Sequence, residues 1–189
     1  MKILQILIIT AIFLSAELKL PTNFITEFNQ TITNDKGKTI EYSGKLYFKQ
    51  DINIYLDDLN SSREIRSRLF KWEYKRPTEK EVCSDGVELI VIDHELEQIT
   101  RYLIDDGLDL ERVLRVAKPI TRRDYKATYR DIEYLITLDG EDRLERIFYV
   151  DSLDNRVKIL FKGMKYNVLG FRSSHLECPA EPNYDVIEE

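Results

Sequence analysis

The 189-residue chain has two cysteines and two histidines, too few to build either a disulfide scaffold or a zinc-binding framework. His94 and His175 are far apart, and no cysteine or carboxylate stands at ligand spacing from either, so no metal is expected. The recognised catalytic signatures are missing too. There is no G-x-S-x-G elbow, P-loop, dinucleotide fingerprint or H-E-x-x-H helix. Ser84, in "CSDG", has no histidine near it in sequence and reads as a turn serine. The acidic pairs Asp57–Asp58 and Asp105–Asp106 lie in polar stretches and read as solvated surface, not as acid–base pairs. The expectation is a protein that is not an enzyme and needs no cofactor. Basic charge is also short: 28 Lys and Arg against 34 Asp and Glu leave a net charge of −6, which argues against nucleic acid as a partner. The apolar run "ILQILIITAIFL" falls short of the roughly 20 residues that span a bilayer.

That run has a different reading. Lys2 precedes it and "LSA" follows it, the charged region, apolar region and small-residue cleavage site of a secretory signal peptide. Cleavage is expected after Ala16, leaving residues 17–189 as a single domain of net charge −7, because Lys2 is lost from −6. With 33% charged and 43% hydrophobic residues, the mature chain has the composition of a folded domain. Export would place Cys83 and Cys178 in an oxidising compartment. One disulfide between them is allowed if the terminal segment crosses the strand ending at Cys83, with Cα atoms within about 7 Å.

Most segments alternate with period two. "LFKWEYK" puts Phe70, Trp72 and Tyr74 on one face and Lys71, Glu73 and Lys75 on the other. "TIEYSGKLYF" aligns Ile40, Tyr42, Leu46 and Phe48, and "IEYLITL" aligns Ile132, Tyr134, Ile136 and Leu138. "LERIFYV" aligns Leu144, Phe148 and Val150, and "VKILF" aligns Val157, Ile159 and Phe161. Short turn signals, "NDKGK", "SDG", "LDGED" and "SLDN", separate them. The pattern predicts an antiparallel sheet of about ten strands joined by hairpins. One segment differs: Leu110, Val113, Leu114 and Ala117 recur at helical spacing before Pro119, which predicts an amphipathic helix of about three turns. So short a helix cannot cover so large a sheet. The sheet must curl or leave its concave side partly unfilled, and an unfilled apolar concavity is a ligand site by default.

The order of several short motifs resembles one family. They are Phe28-Asn29-Gln30, the "G-x-L-x-x-K" strand at residues 44–49, "LFKW" at residues 69–72, Pro77, "SDG" at residues 84–86 and "EQIT" at residues 97–100. Together with the leader, the helix after "EQIT" and the terminal "CPAEPNYDVIEE", this order is similar to LolA, the periplasmic carriers of outer-membrane lipoproteins. The resemblance implies a mainly β half-barrel, a curled antiparallel sheet with a helical lid over a hydrophobic concave face. That face would hold acyl chains of lipoproteins taken from an inner-membrane transporter and handed to an outer-membrane receptor, with the carrier acting as a monomer. The cavity would be lined by Leu46, Phe48, Phe70, Trp72, Tyr74, Tyr134, Ile136 and Phe148, with Leu110, Val113, Leu114 and Ala117 on the lid. Two departures stand out. Only residues 17–23, interrupted by Pro21, precede the first strand, where the family has a long helix. The family's arginine–proline turn, whose arginine latches the lid, is replaced by an insertion over residues 50–68, in which Arg66 and Arg68 are the candidate latch. A second reading remains: a secreted β interaction module with a filled core and no lipid ligand.

Overall fold

The computed structural model describes residue 18 and residues 20–56, 62–84, 88–103, 110–179 and 181–188. The expected signal peptide and the acidic pairs Asp57–Asp58 and Asp105–Asp106 lie outside them. The described strands form one sheet of twelve, not closed on itself. They are β1 (Asn23–Thr33), β2 (Thr39–Leu56), β3 (Ser62–Arg76), β4 (Lys80–Ser84), β5 (Glu88–Asp93), β6 (Gln98–Leu103), β7 (Lys118–Pro119), β8 (Asp124–Tyr129), β9 (Ile132–Leu138), β10 (Leu144–Val150), β11 (Arg156–Tyr166) and β12 (Asp185–Glu188). Their spatial order is β12-β6-β5-β4-β3-β2-β1-β11-β10-β9-β8-β7. Sequential hairpins build each wing, and β1 joins the wings by pairing with both β2 and β11. Every pairing is antiparallel except β12 on β6. The mainly β half-barrel expected from the sequence is the fold observed.

Alternation explains the central strand. Phe24 and Phe28 are buried with exposures of 0% and 1%, while Glu27 and Asn29 between and beyond them face water. The Phe24 ring stacks on Phe48 with centroids 5.1 Å apart, and Phe28 meets Trp72 edge-on at 4.8 Å. A bulge between Ile25 and Glu27 breaks the ladder to β11. Buried Thr26 serves that break, its hydroxyl donating to the carbonyl of Glu27 at 2.9 Å or of Lys162 at 3.1 Å.

The helix α1 (Leu110–Arg115) has six described residues, fewer than the three turns the spacing predicts. Its end is tightened by Val116 N–H donating to Arg112 O and Ala117 N–H to Leu114 O, both at 3.2 Å, after which the chain turns into β7 at Pro119. Ahead of β1 no helix forms at the described residues. Instead Leu18 and Leu20 lie against the core directly.

Gly44 sits where β2 meets Phe28 on one side and Tyr74 on the other, next to a register shift in the β2–β3 ladder. A Cβ there would approach the Glu73 carbonyl oxygen to 1.8 Å. Backbone cannot move aside as a flexible side chain would, so only glycine fits. Gly44→Ala is expected to destabilise the fold by at least about 1–3 kcal/mol. Urea unfolding followed by Trp72 fluorescence measures it, and an unshifted midpoint would show that the bulge relaxes freely.

Candidate functional site

The register sets out the concave face strand by strand. Phe48, Leu46 and Gly44 on β2 lie opposite Phe70, Trp72 and Tyr74 on β3, so the three aromatics share one face as their spacing predicts. Across β4 to β6 the same rows continue. Phe70 leads to Ser84, Leu89 and Tyr102, and Trp72 leads to Val82, Val91 and Thr100. Tyr74 leads to Lys80, Asp93 and Gln98. Leu46 and Phe48 are buried, but Phe70, Trp72, Val82, Leu89, Val91 and Tyr102 are only half-buried. This apolar patch ends in the polar row from Tyr74 to Gln98.

The other wing is closed. Tyr134, Ile136, Ile147, Val157 and Ile159 are buried together with Val113 and Leu114 of α1, which packs over β8. Leu110 lies against the same cluster and Ala117, just past the helix, is buried in it. The four lid residues therefore cover the β8–β11 wing. Tyr134 and Ile136, expected in the cavity lining, lie on the same face as Trp72 but in its filled part. Phe148 does not belong there. It pairs with Leu135 and Lys158 on the convex face, whereas its neighbours Ile147 and Tyr149 point inward. A register shift between Leu144 and Arg146 reverses the alternation within the strand, so Leu144 faces in and Phe148 and Val150 do not. Strict period two could not have located that shift.

Behind the aromatic strand the chain terminus is strapped down. Lys71 pairs with Cys83, and Cys83 is bonded to Cys178, with Cα atoms 5.8 Å apart. Ile92 and Ile99 on the same face are buried, and Leu176 in the strap is 3% exposed. Lys71 is expected from alternation to face solvent, yet it is only 7% exposed. Its ammonium lies 2.7 Å from Glu81 Oε2 and 3.8 Å from Glu73 Oε1, and donates to the Glu177 carbonyl at 3.4 Å. Tyr47 donates to Glu73 at 3.1 Å, and His94 Nδ1 meets the Tyr184 hydroxyl at 3.1 Å. Among the described residues, the grouping that comes nearest a metal-ligand set is Glu81 with the two cysteines, whose sulfurs are already joined to each other.

The insertion is a hairpin extension. Pairing runs without a register shift from Gly44–Tyr74 to Leu56–Ser62, setting Arg68 opposite Gln50 and Arg66 opposite Ile52. Residues 62–68 are strand. The side chains of Arg66 and Arg68, on which the latch expectation falls, lie outside what the structure describes.

A mainly β chain with one open, curled sheet and a helix over part of its concave face is a half-barrel in outline, and similarity to known proteins narrows it. The family model described as "Outer membrane lipoprotein carrier protein LolA" matches residues 65–118. A Wolinella succinogenes protein named outer-membrane lipoprotein carrier protein is 28% identical over 158 residues, 84% of this chain and 83% of that one. A Campylobacter jejuni protein of the same name is 26% identical over 179 residues, covering 93% and 94%. The crystal structure of an uncharacterized conserved protein from Thermus thermophilus aligns with a TM-score of 0.51 at 13% identity, over 90% of this chain and 92% of that one, and shows the fold alone. The resemblance read from the sequence is borne out: the chain is LolA-like.

The strap and the face can each be tested. Replacing Cys83 and Cys178 by alanine opens a loop of 95 residues' separation, and is expected to cost about 2–4 kcal/mol in denaturant unfolding. An unchanged midpoint would leave the strap held by Lys71 alone. For the tyrosines, burial first and then the Glu73 carboxylate push Tyr47 up to about 12, and burial with Tyr134 pushes Tyr149 up to about 12. Burial raises Tyr74 as well. The folded protein thus keeps protons that the unfolded chain releases, so this stability is complete below about pH 10 and is lost as pH rises through about 12. Tyrosinate absorbance should show a late-ionising class that vanishes in urea; a single ordinary titration in the folded protein would refute it.

Proposed function

We propose that this protein is a periplasmic carrier of outer-membrane lipoproteins, sheltering their acyl chains on the concave face of β3–β6. The observation that carries the reading is the half-buried apolar patch of Phe70, Trp72, Val82, Leu89, Val91 and Tyr102, beside a wing of the same face that is fully packed. Soluble domains rarely leave large contiguous apolar patches to water without a use for them. The names of the Wolinella and Campylobacter relatives support lipoprotein cargo in particular. In this reading the carrier accepts cargo from an inner-membrane transporter and delivers it to an outer-membrane receptor as a monomer, by binding and release without catalysis. Arg66 or Arg68, on the extended hairpin, takes the part of the latch.

Val91 tests the site because it is only half-buried on the patch and lies two strands from the aromatic strand β3, away from the packed wing. Val91→Asp should weaken binding of a fluorescent fatty acyl probe at least about tenfold, since a carboxylate there must be desolvated against the chain. Denaturant unfolding should move little. In the wild-type protein the probe should change Trp72 emission and be displaced by an acylated lipoprotein. Absence of any probe binding to the wild-type protein would favour the interaction module with a filled core.

A further inference from the structure

At one end of the apolar patch the concave face holds a cavity of about 200 Å³ lined by Gln30, Ile32, Tyr42, Tyr74, Thr78, Lys80 and Val82. Sites that enclose a whole small molecule measure roughly 300–1,000 Å³, so this one takes only part of a ligand. Its floor is continuous with the aromatic wall. Tyr74 stacks on Trp72 at 6.3 Å and meets Phe28 edge-on at 5.1 Å, and Tyr42 meets Tyr74 edge-on at 5.8 Å. Its rim is polar and rich in donors. The Tyr74 hydroxyl donates to Gln30 Oε1 at 3.4 Å, which turns the Gln30 amide nitrogen away from that bond. Lys80 is held by Asp93 at 3.0 Å. The hydroxyls of Tyr42 and Thr78 and the Gln30 amide nitrogen form no hydrogen bond with another described residue. Buried Thr26, by contrast, spends its hydroxyl within the backbone of its own bulge.

A saturated chain lying on Trp72 and Val82 offers nothing to these donors. What matches them is an acceptor at the end of such a chain, an ester or amide carbonyl. We infer that this cavity binds the carbonyl linkage of an acylated ligand, with the chain running from it across Trp72 towards Phe70 and Leu89. Donors to the carbonyls are Tyr42 and the Gln30 amide, and the row of Tyr74, Lys80, Asp93 and Gln98 marks where the apolar face stops. The inference rests on the carrier reading and adds to it a fixed polarity: the acylated head lies at the β3–β4 turn and the methyl end lies towards the extended hairpin.

The test is competition of two synthetic ligands against a fluorescent fatty acyl probe. One is a palmitoylated cysteinyl dipeptide with ester- and amide-linked chains; the other is its analogue with the same chains joined through ethers and amines, lacking those carbonyls. Wild-type protein should prefer the carbonyl ligand about tenfold. In Tyr42→Phe with Gln30→Met, which keeps ring and volume, that preference should fall to near unity while affinity for the ether analogue is unchanged, which also shows that the variant is folded. Equal affinities in the wild-type protein, or parallel loss of both ligands in the variant, would overturn the inference and leave the carrier reading standing. Failure of both ligands and the probe to bind the wild-type protein would overturn the carrier reading itself and this inference with it.

Discussion

An apolar sheet face has to be covered or it leaves its side chains against water, and the cost grows with the uncovered area. In this protein one helix of six described residues serves a sheet of twelve strands. The helix closes the wing formed by β8 to β11, where Val113 and Leu114 disappear into the core at 0% and 1% exposure. Nothing of comparable packing covers β3 to β6 among the described residues, where Trp72, Val82 and Val91 are half-buried. The division into a sealed wing and an open wing follows from that shortage of covering surface. One continuous face thus supplies both the core and the apolar patch proposed as the site.

The reverse side of the exposed wing is closed. Strands β4 and β5 are apolar on both faces, with Val82 and Val91 in front and Cys83, Ile90 and Ile92 behind. The terminal segment is held at the back by the Cys83–Cys178 bond and by Lys71, which reaches its carbonyl at Glu177. A buried ammonium is tolerable when paired and hydrogen-bonded. Glu81 at 2.7 Å supplies the countercharge. Lys71 lies between Phe70 and Trp72 in sequence, so what clamps the back of the strand fixes the direction in which the aromatics face the front.

Much of this is legible from periodicity. Phe70, Trp72 and Tyr74 share a face because an unbroken ladder to β2 preserves their alternation. Alternation alone misplaces Phe148, because a single shift between Leu144 and Arg146 inverts everything after it, and no residue in "LERIFYV" announces a bulge. Lys71 reads as surface because alternation identifies a face without saying what later folds over it. The covering segment comes from a hundred residues further along, as the separation of 106 between Lys71 and Glu177 shows. Gly44 belongs to a readable motif, but its necessity lies in the Glu73 carbonyl that crowds it, a contact between strands. Periodicity does not foretell the cavity beside Tyr42 and Gln30. Its only sequence trace is a glutamine standing in an otherwise apolar alternation between Phe28 and Ile32.

If the proposed carrier reading holds, the exposed wing also bears on release. A chain of about sixteen carbons fully enclosed in protein would gain roughly 12 kcal/mol at about 0.8 kcal/mol for each methylene, too much for rapid transfer. A chain lying against a wall that encloses only one side gains about half of that, since burial energy follows the area removed from water. Among the described residues, the half-buried wall of Trp72, Val82 and Val91 is of that one-sided kind. Most of the affinity in that reading still comes from the chain, while the polar contacts at the end of the patch, at about 0.5–1.5 kcal/mol each, are the part that is exchanged one hydrogen bond at a time as a receiving surface takes the ligand. In the proposed reading, a chain so held would peel away from its head end without any unfolding of the sheet, whose back is tied to the terminal segment by the Cys83–Cys178 bond.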